Sequence, residues 1–125
     1  MLFSCSSSND ALTESSDAIV GNWSLESQLI NGQETINDCN KQTLFSFESG
    51  RILRQQFYSM PNTICVAGNQ IISTWLHIGD SKYEIVSSSQ TTRVITVTFS
   101  ENNTKFSLTE TDSNNKVTTS IFKKN

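Results

Sequence analysis

A chain of 125 residues suggests one domain, able to bury roughly two-thirds of its unfolded surface without a metal staple. Its 35% hydrophobic content lies below the usual globular share of about 45–50%, and Ser, Thr and Asn fill the difference, which favours a β-rich fold with polar outer faces. The net charge of −3, with no basic run before Lys123-Lys124, argues against nucleic acid as a partner, and no apolar run approaches the roughly 20 residues of a membrane helix.

The chain opens on Leu2-Phe3-Ser4-Cys5, which resembles a lipobox, the end of a bacterial lipoprotein signal peptide in which a small residue precedes the acylated cysteine. On this reading residues 1–5 are a signal remnant with Cys5 as the lipidation site, the alternative being a free thiol in a polar tail. Ser6-Ser7-Ser8-Asn9-Asp10 begins a polar tether that runs over residues 6–18, and residues 19–125 form the domain. An acylated and diacylated cysteine carries enough chains for stable anchoring.

From Ile19 the pattern becomes that of a strand. Trp23, Leu25, Ser27 and Leu29 share one parity and Asn22, Ser24, Glu26 and Gln28 the other, and Asn31-Gly32 is a strong turn signal. After a polar stretch around Asp38-Cys39-Asn40, Thr43, Phe45 and Phe47 mark strand two, which Ser49-Gly50 ends. Strand three, 51–58, alternates less cleanly because Ile52-Leu53 and Phe57-Tyr58 are adjacent pairs. Residues 59–69, with Pro61, Cys65 and Gly68, read as an irregular connection. Strand four spans 70–78, strand five 83–86, and strand six 93–100, where Ile95, Val97 and Phe99 oppose Thr96, Thr98 and Ser100. Phe106 and Leu108 head strand seven; Val117, Thr119 and Ile121 make strand eight, with Val117 and Ile121 as its inner-face candidates. Short strands joined by tight turns form an antiparallel meander, and a meander of this size closes to remove its edges. The expected fold is all-β, an eight-stranded antiparallel up-and-down barrel.

Setting Cys5 aside leaves Cys39 and Cys65 as an even remainder that can close one disulfide, fitting an oxidising compartment; the alternative is two buried thiols that never meet. No paired Cys or His spacing suggests a metal, and no cofactor is implied. Catalysis has little to stand on: there is no Gly-x-Ser-x-Gly elbow, phosphate loop or His-Glu-x-x-His pattern, and His77 is the sole histidine. The expectation is that the chain is not an enzyme.

Gly21-Asn22-Trp23 at the head of strand one, followed by Asn31-Gly32, Asp38-Cys39, Thr43-Leu44-Phe45-Ser46-Phe47, Ser49-Gly50, Cys65, Ser73-Thr74-Trp75 and Tyr83-Glu84-Ile85, resembles the small lipocalin-like domains of bacterial envelope lipoproteins. The resemblance implies a monomeric barrel anchored to the outer membrane, periplasmic or surface-exposed, with Gly21 and Trp23 as its signature and Lys116 or Lys123 over Trp23 where longer lipocalins use arginine. Two functions then compete. One is a carrier or sensor for a small hydrophobic or amphipathic ligand, with Trp75, His77, Tyr83 and Arg54 lining the barrel mouth. The other is an interaction module with a filled barrel, docking an envelope protein or glycan through Phe57, Tyr58, Met60 and Ile64.

Overall fold

A computed structural model describes residues 17–125. Among them the elements run β1 (Gly21–Ile30), β2 (Gln33–Glu34), a 3-10 turn (Asn40–Gln42), β3 (Leu44–Phe47), β4 (Ile52–Gln56), β5 (Tyr58–Ser59), β6 (Val66–Ala67), β7 (Ile71–Gly79), β8 (Lys82–Ser87), β9 (Thr92–Ser100), β10 (Lys105–Thr111) and β11 (Val117–Lys124). The long strands pair antiparallel in the order β11-β10-β9-β8-β7-β4-β3-β1, and β11 pairs back onto β1, so eight strands close into the expected barrel. β2 folds back along the end of β1. β5 and β6 form a small separate hairpin in the connection that the sequence pattern leaves irregular, because two-residue strands carry no usable periodicity. Cys39 and Cys65 are bonded, with 2.07 Å between sulfurs, and tie the loop before β3 to that hairpin.

Local chemistry explains the corners. Asn31 and Gly32 have φ of 50° and 84°, the two positive values of the type I′ turn that best matches strand twist. Asn31 also clasps the first residue of β11: its N–H donates to the Val117 carbonyl at 2.8 Å and its Oδ1 accepts the Val117 N–H at 2.9 Å. Between β9 and β10, Glu101, Asn102 and Asn103 all take left-handed backbone, a conformation that Asn tolerates better than most residues.

Alternation fills the barrel with Trp23, Leu25, Phe45, Phe47, Leu53, Trp75, Tyr83, Ile85, Ile95, Val97, Phe106 and Leu108, all buried. Three residues depart from the expected inner face. β1 shifts register between Leu25 and Ser27, and one extra residue in a strand exchanges its two faces. Beyond this bulge Gln28 opposes the buried Ser120, and Leu29 moves off the inner face. In β11 the inner residues are Ser120 and Phe122, leaving Val117 and Ile121 on the other parity. Adjacent Ile121 and Phe122 make that strand's alternation ambiguous, and packing decides it. The Phe122 ring lies 4.4 Å from Phe45 and 5.1 Å from Phe106, filling the barrel axis with flat aromatic surface that isoleucine lacks. Glu34 repairs the bulge. Its carboxylate accepts the Ser27 hydroxyl at 2.6 Å and the Gln28 N–H at 2.9 Å, and the Ser27 bond foremost holds it below the usual glutamate range.

Candidate functional site

Antiparallel order gives the barrel two distinct ends. The start of β1 and the ends of β3, β7, β9 and β11 meet at one end, which is closed; the opposite strand ends meet at the other, which is open.

The closed end is a floor of rings under the incoming chain. Ile19 is fully buried, and its carbonyl accepts the Trp23 indole N–H at 2.8 Å. Trp23 meets Phe106 edge-on at 4.6 Å between centroids, and Phe47 meets Trp75 edge-on at 6.0 Å. Gly21 has φ of +143°, a conformation that side chains rarely adopt, and a Cβ there would come within 2.8 Å of the Lys124 stem. That stem carries the ammonium to 5.5 Å from the Trp23 ring. Lys124 thus holds the place expected of Lys116 or Lys123; Lys123 is exposed, opposite Lys105 on the outer face, and Lys116 lies in the turn before β11.

Asp17 fastens this floor. Its side chain is 4% exposed, with Oδ1 accepting the Tyr83 hydroxyl at 2.6 Å and the Ile19 N–H at 3.0 Å, while Oδ2 lies 2.6 Å from His77 Nδ1. The His77 ring stacks on Tyr83 at 4.2 Å. Burial, and then the Asp17 carboxylate, push the Tyr83 phenol well above its ordinary pKa. Trp75 donates its indole N–H to the Glu48 carbonyl at 2.9 Å and is buried in the core. Arg54 is on the outer face, paired with Glu48 at 2.6 Å. Three of the four expected ligand residues, Trp75, His77 and Tyr83, are therefore together, but at the floor; Arg54 is outside the barrel. None of the four borders the open cavity.

The open end holds a cavity of about 490 Å³, within the range of about 300–1,000 Å³ usual for small-molecule sites. Its apolar wall is Leu25, Phe45, Leu108 and Phe122, with Phe57 and Met60 at the rim. Its polar wall includes Gln28, Thr43, Gln55, Thr118 and Ser120. Thr43, Gln55 and Ser120 are 3%, 4% and 9% exposed, yet their side chains make no hydrogen bond to any described residue. No enclosed side-chain N or O among the described residues lacks a partner, so these polar atoms open onto the cavity. Arg93 and Glu110 are the charged residues of the lining, and they form an ion pair between the neighbouring strands β9 and β10. A smaller hollow of about 220 Å³ shares Gln55, Phe57 and Arg93 and runs on past Ser73 and Ile85, and a separate one of about 470 Å³ lies outside the barrel beside Arg54, Leu44 and Gln56. The disulfide joins the two lips of the mouth, since Asn37 and Asn40 lie beside Cys39, and Tyr58 and Met60 lie on the segment that Cys65 anchors.

Sequence reasoning passes over this wall, although part of it is legible. Arg93 has the parity of Ile95, Val97 and Phe99, and Glu110 that of Phe106 and Leu108, so each is a charge on an apolar face. Thr43, Gln55 and Ser120 give no such signal, being polar residues in strands rich in polar residues. Among the described residues no group of His, Cys, Asp and Glu can hold a metal ion.

No family model and no curated protein matches the chain. Among solved structures it is similar to a redesigned β-barrel, at 15% identity and a TM-score of 0.52, over 90% of this chain and 96% of that one. The chain is an eight-stranded β-barrel. At that identity the likeness concerns the fold alone.

Proposed function

We propose that this barrel is a non-enzymatic binding protein, a lipocalin-like envelope lipoprotein that holds a small hydrophobic or amphipathic molecule in its open end. The observation that carries this reading is the cavity of about 490 Å³ with Thr43, Gln55 and Ser120 buried in its wall and lacking protein partners. A buried polar side chain without a partner is costly, and one that a ligand or water completes is not. Phe57 and Met60, which the docking-module reading would use, border this cavity and serve the ligand reading equally well.

The anchor belongs to the same proposal. Cys5 lies outside the described residues, and the described chain enters at Asp17 on the floor. A lipid on Cys5 would hold the barrel by its closed end, with the mouth at the far end.

Native mass spectrometry of the full chain, with no ligand added and denaturing analysis of whatever copurifies, tests the reading. A bound amphiphile at near-unit stoichiometry supports it. A chain that copurifies with nothing and binds no added amphiphile contradicts it.

A further inference from the structure

Building on the reading of the open end as a ligand site, we propose that it selects an electrically neutral amphiphile, an apolar body bearing an uncharged head of hydroxyl or amide groups. Arg93 and Glu110 set that preference by neutralising one another.

The charge balance of the lining comes first. Arg93 and Glu110 both project from inner parities and are paired, so the wall offers no net charge. An anionic head seeking Arg93 must displace Glu110, which then sits unpaired beside a second anion inside the mouth. A cationic head seeking Glu110 strands Arg93 in the same way. The two side chains are 48% and 39% exposed, so breaking the pair costs little in itself; what the pairing removes is attraction, because an ion entering the mouth sheds water and meets no net opposite charge in return. A neutral head disturbs neither.

The free hydrogen-bonding groups point the same way. Thr43 and Ser120 offer hydroxyls and Gln55 an amide, each able to donate and to accept, and none is engaged by the protein. Such groups complement a head that also both donates and accepts, whereas a carboxylate only accepts and an ammonium with no N–H cannot donate. Leu25, Phe45, Leu108 and Phe122 supply the apolar wall against which the body of the ligand lies.

Calorimetric titration of the full chain with three probes of one chain type, monodecanoylglycerol, decanoate and decyltrimethylammonium, tests the inference. The neutral probe should bind at least about tenfold tighter than either ion. Glu110→Gln frees the guanidinium and should raise affinity for decanoate about tenfold relative to the same variant's affinity for the neutral probe, and Arg93→Gln should do the same for decyltrimethylammonium. Urea unfolding of each variant, followed by tryptophan fluorescence, reports that it is folded. Equal binding of all three probes by the unaltered protein, or tighter binding of an ion, overturns the neutral-head inference while leaving the ligand site standing. Binding of none of them overturns the ligand reading itself, and the inference with it.

Discussion

Asp17 is the single side chain whose loss should release the floor. Its carboxylate is 4% exposed and serves three donors: the Tyr83 hydroxyl and the Ile19 N–H on Oδ1, and His77 on Oδ2. Asp17→Ala removes every acceptor and leaves the fully buried Tyr83 hydroxyl without its partner. Bonds to a charged acceptor contribute about 1.5–3 kcal/mol each, and a stranded buried donor costs about 1–3 kcal/mol. The expected loss is about 3–5 kcal/mol, much of the 5–15 kcal/mol that a domain of ordinary stability has. Asp17→Asn separates shape from charge. Its amide oxygen can keep both Oδ1 contacts while its NH2 takes the place of Oδ2 facing His77, so it should lose only about 1–2 kcal/mol. Urea unfolding followed by the fluorescence of Trp23 and Trp75, with the slope held constant, measures both. A loss below about 1 kcal/mol for Asp17→Ala, or equal losses for the two variants, would refute the view that this carboxylate fastens the chain to the barrel.

Further expectations follow from the same geometry. Phe122→Ala should cost about 3–5 kcal/mol in thermal or urea unfolding and Ile121→Ala about 1 kcal/mol, because β11 turns Phe122, 2% exposed, into the core and Ile121 to its other face. Reducing Cys39–Cys65, which closes a loop of 26 residues, should lower stability by about 3.5 kcal/mol in the chain-entropy model and loosen the lips of the mouth, seen as faster amide exchange at Asn37 and Met60. Tyr83 is expected to keep its proton in the folded barrel where a free phenol, near about pH 10, would lose it. Because its folded pKa is raised, its contribution is complete below about pH 10, where the unfolded phenol also keeps its proton, and declines as pH rises from there toward the folded value, so the stability gap between the unaltered chain and Tyr83→Phe should narrow above about pH 10.

Much of the barrel is legible in the sequence, and the reasons are specific. Trp23 and Leu25 share a parity, Ile95 and Val97 another, and Asn31-Gly32 admits only a tight turn, so each local pattern agrees with closure. The site is harder to read. Its wall comes from strand ends, where alternation runs into loops, and a single bulge after Leu25 exchanges the faces of Gln28 and Leu29. Arg54 looks like a lining residue because Ile52-Leu53 blurs its strand; pairing of Leu53 with Ser73 settles the face. Trp75, His77 and Tyr83 do gather as expected, but their shared partner Asp17 lies 60 residues from His77, a separation that no local pattern reports. The pairing of Cys39 with Cys65 is the opposite case, since an even remainder of cysteines in loops at one end of a meander suffices.

The central claim is that the open end, and no other surface, takes the ligand. Amide and indole chemical shifts of the isotopically labelled full chain, followed as monodecanoylglycerol is added, test it most directly. Gln55, Arg93, Glu110 and Ser120 should shift together and saturably, while the indole N–H signals of Trp23 and Trp75, bonded to the Ile19 and Glu48 carbonyls on the far side of the core, stay in place. Shifts confined to the floor or to the outer face, with the mouth unmoved, would contradict the account.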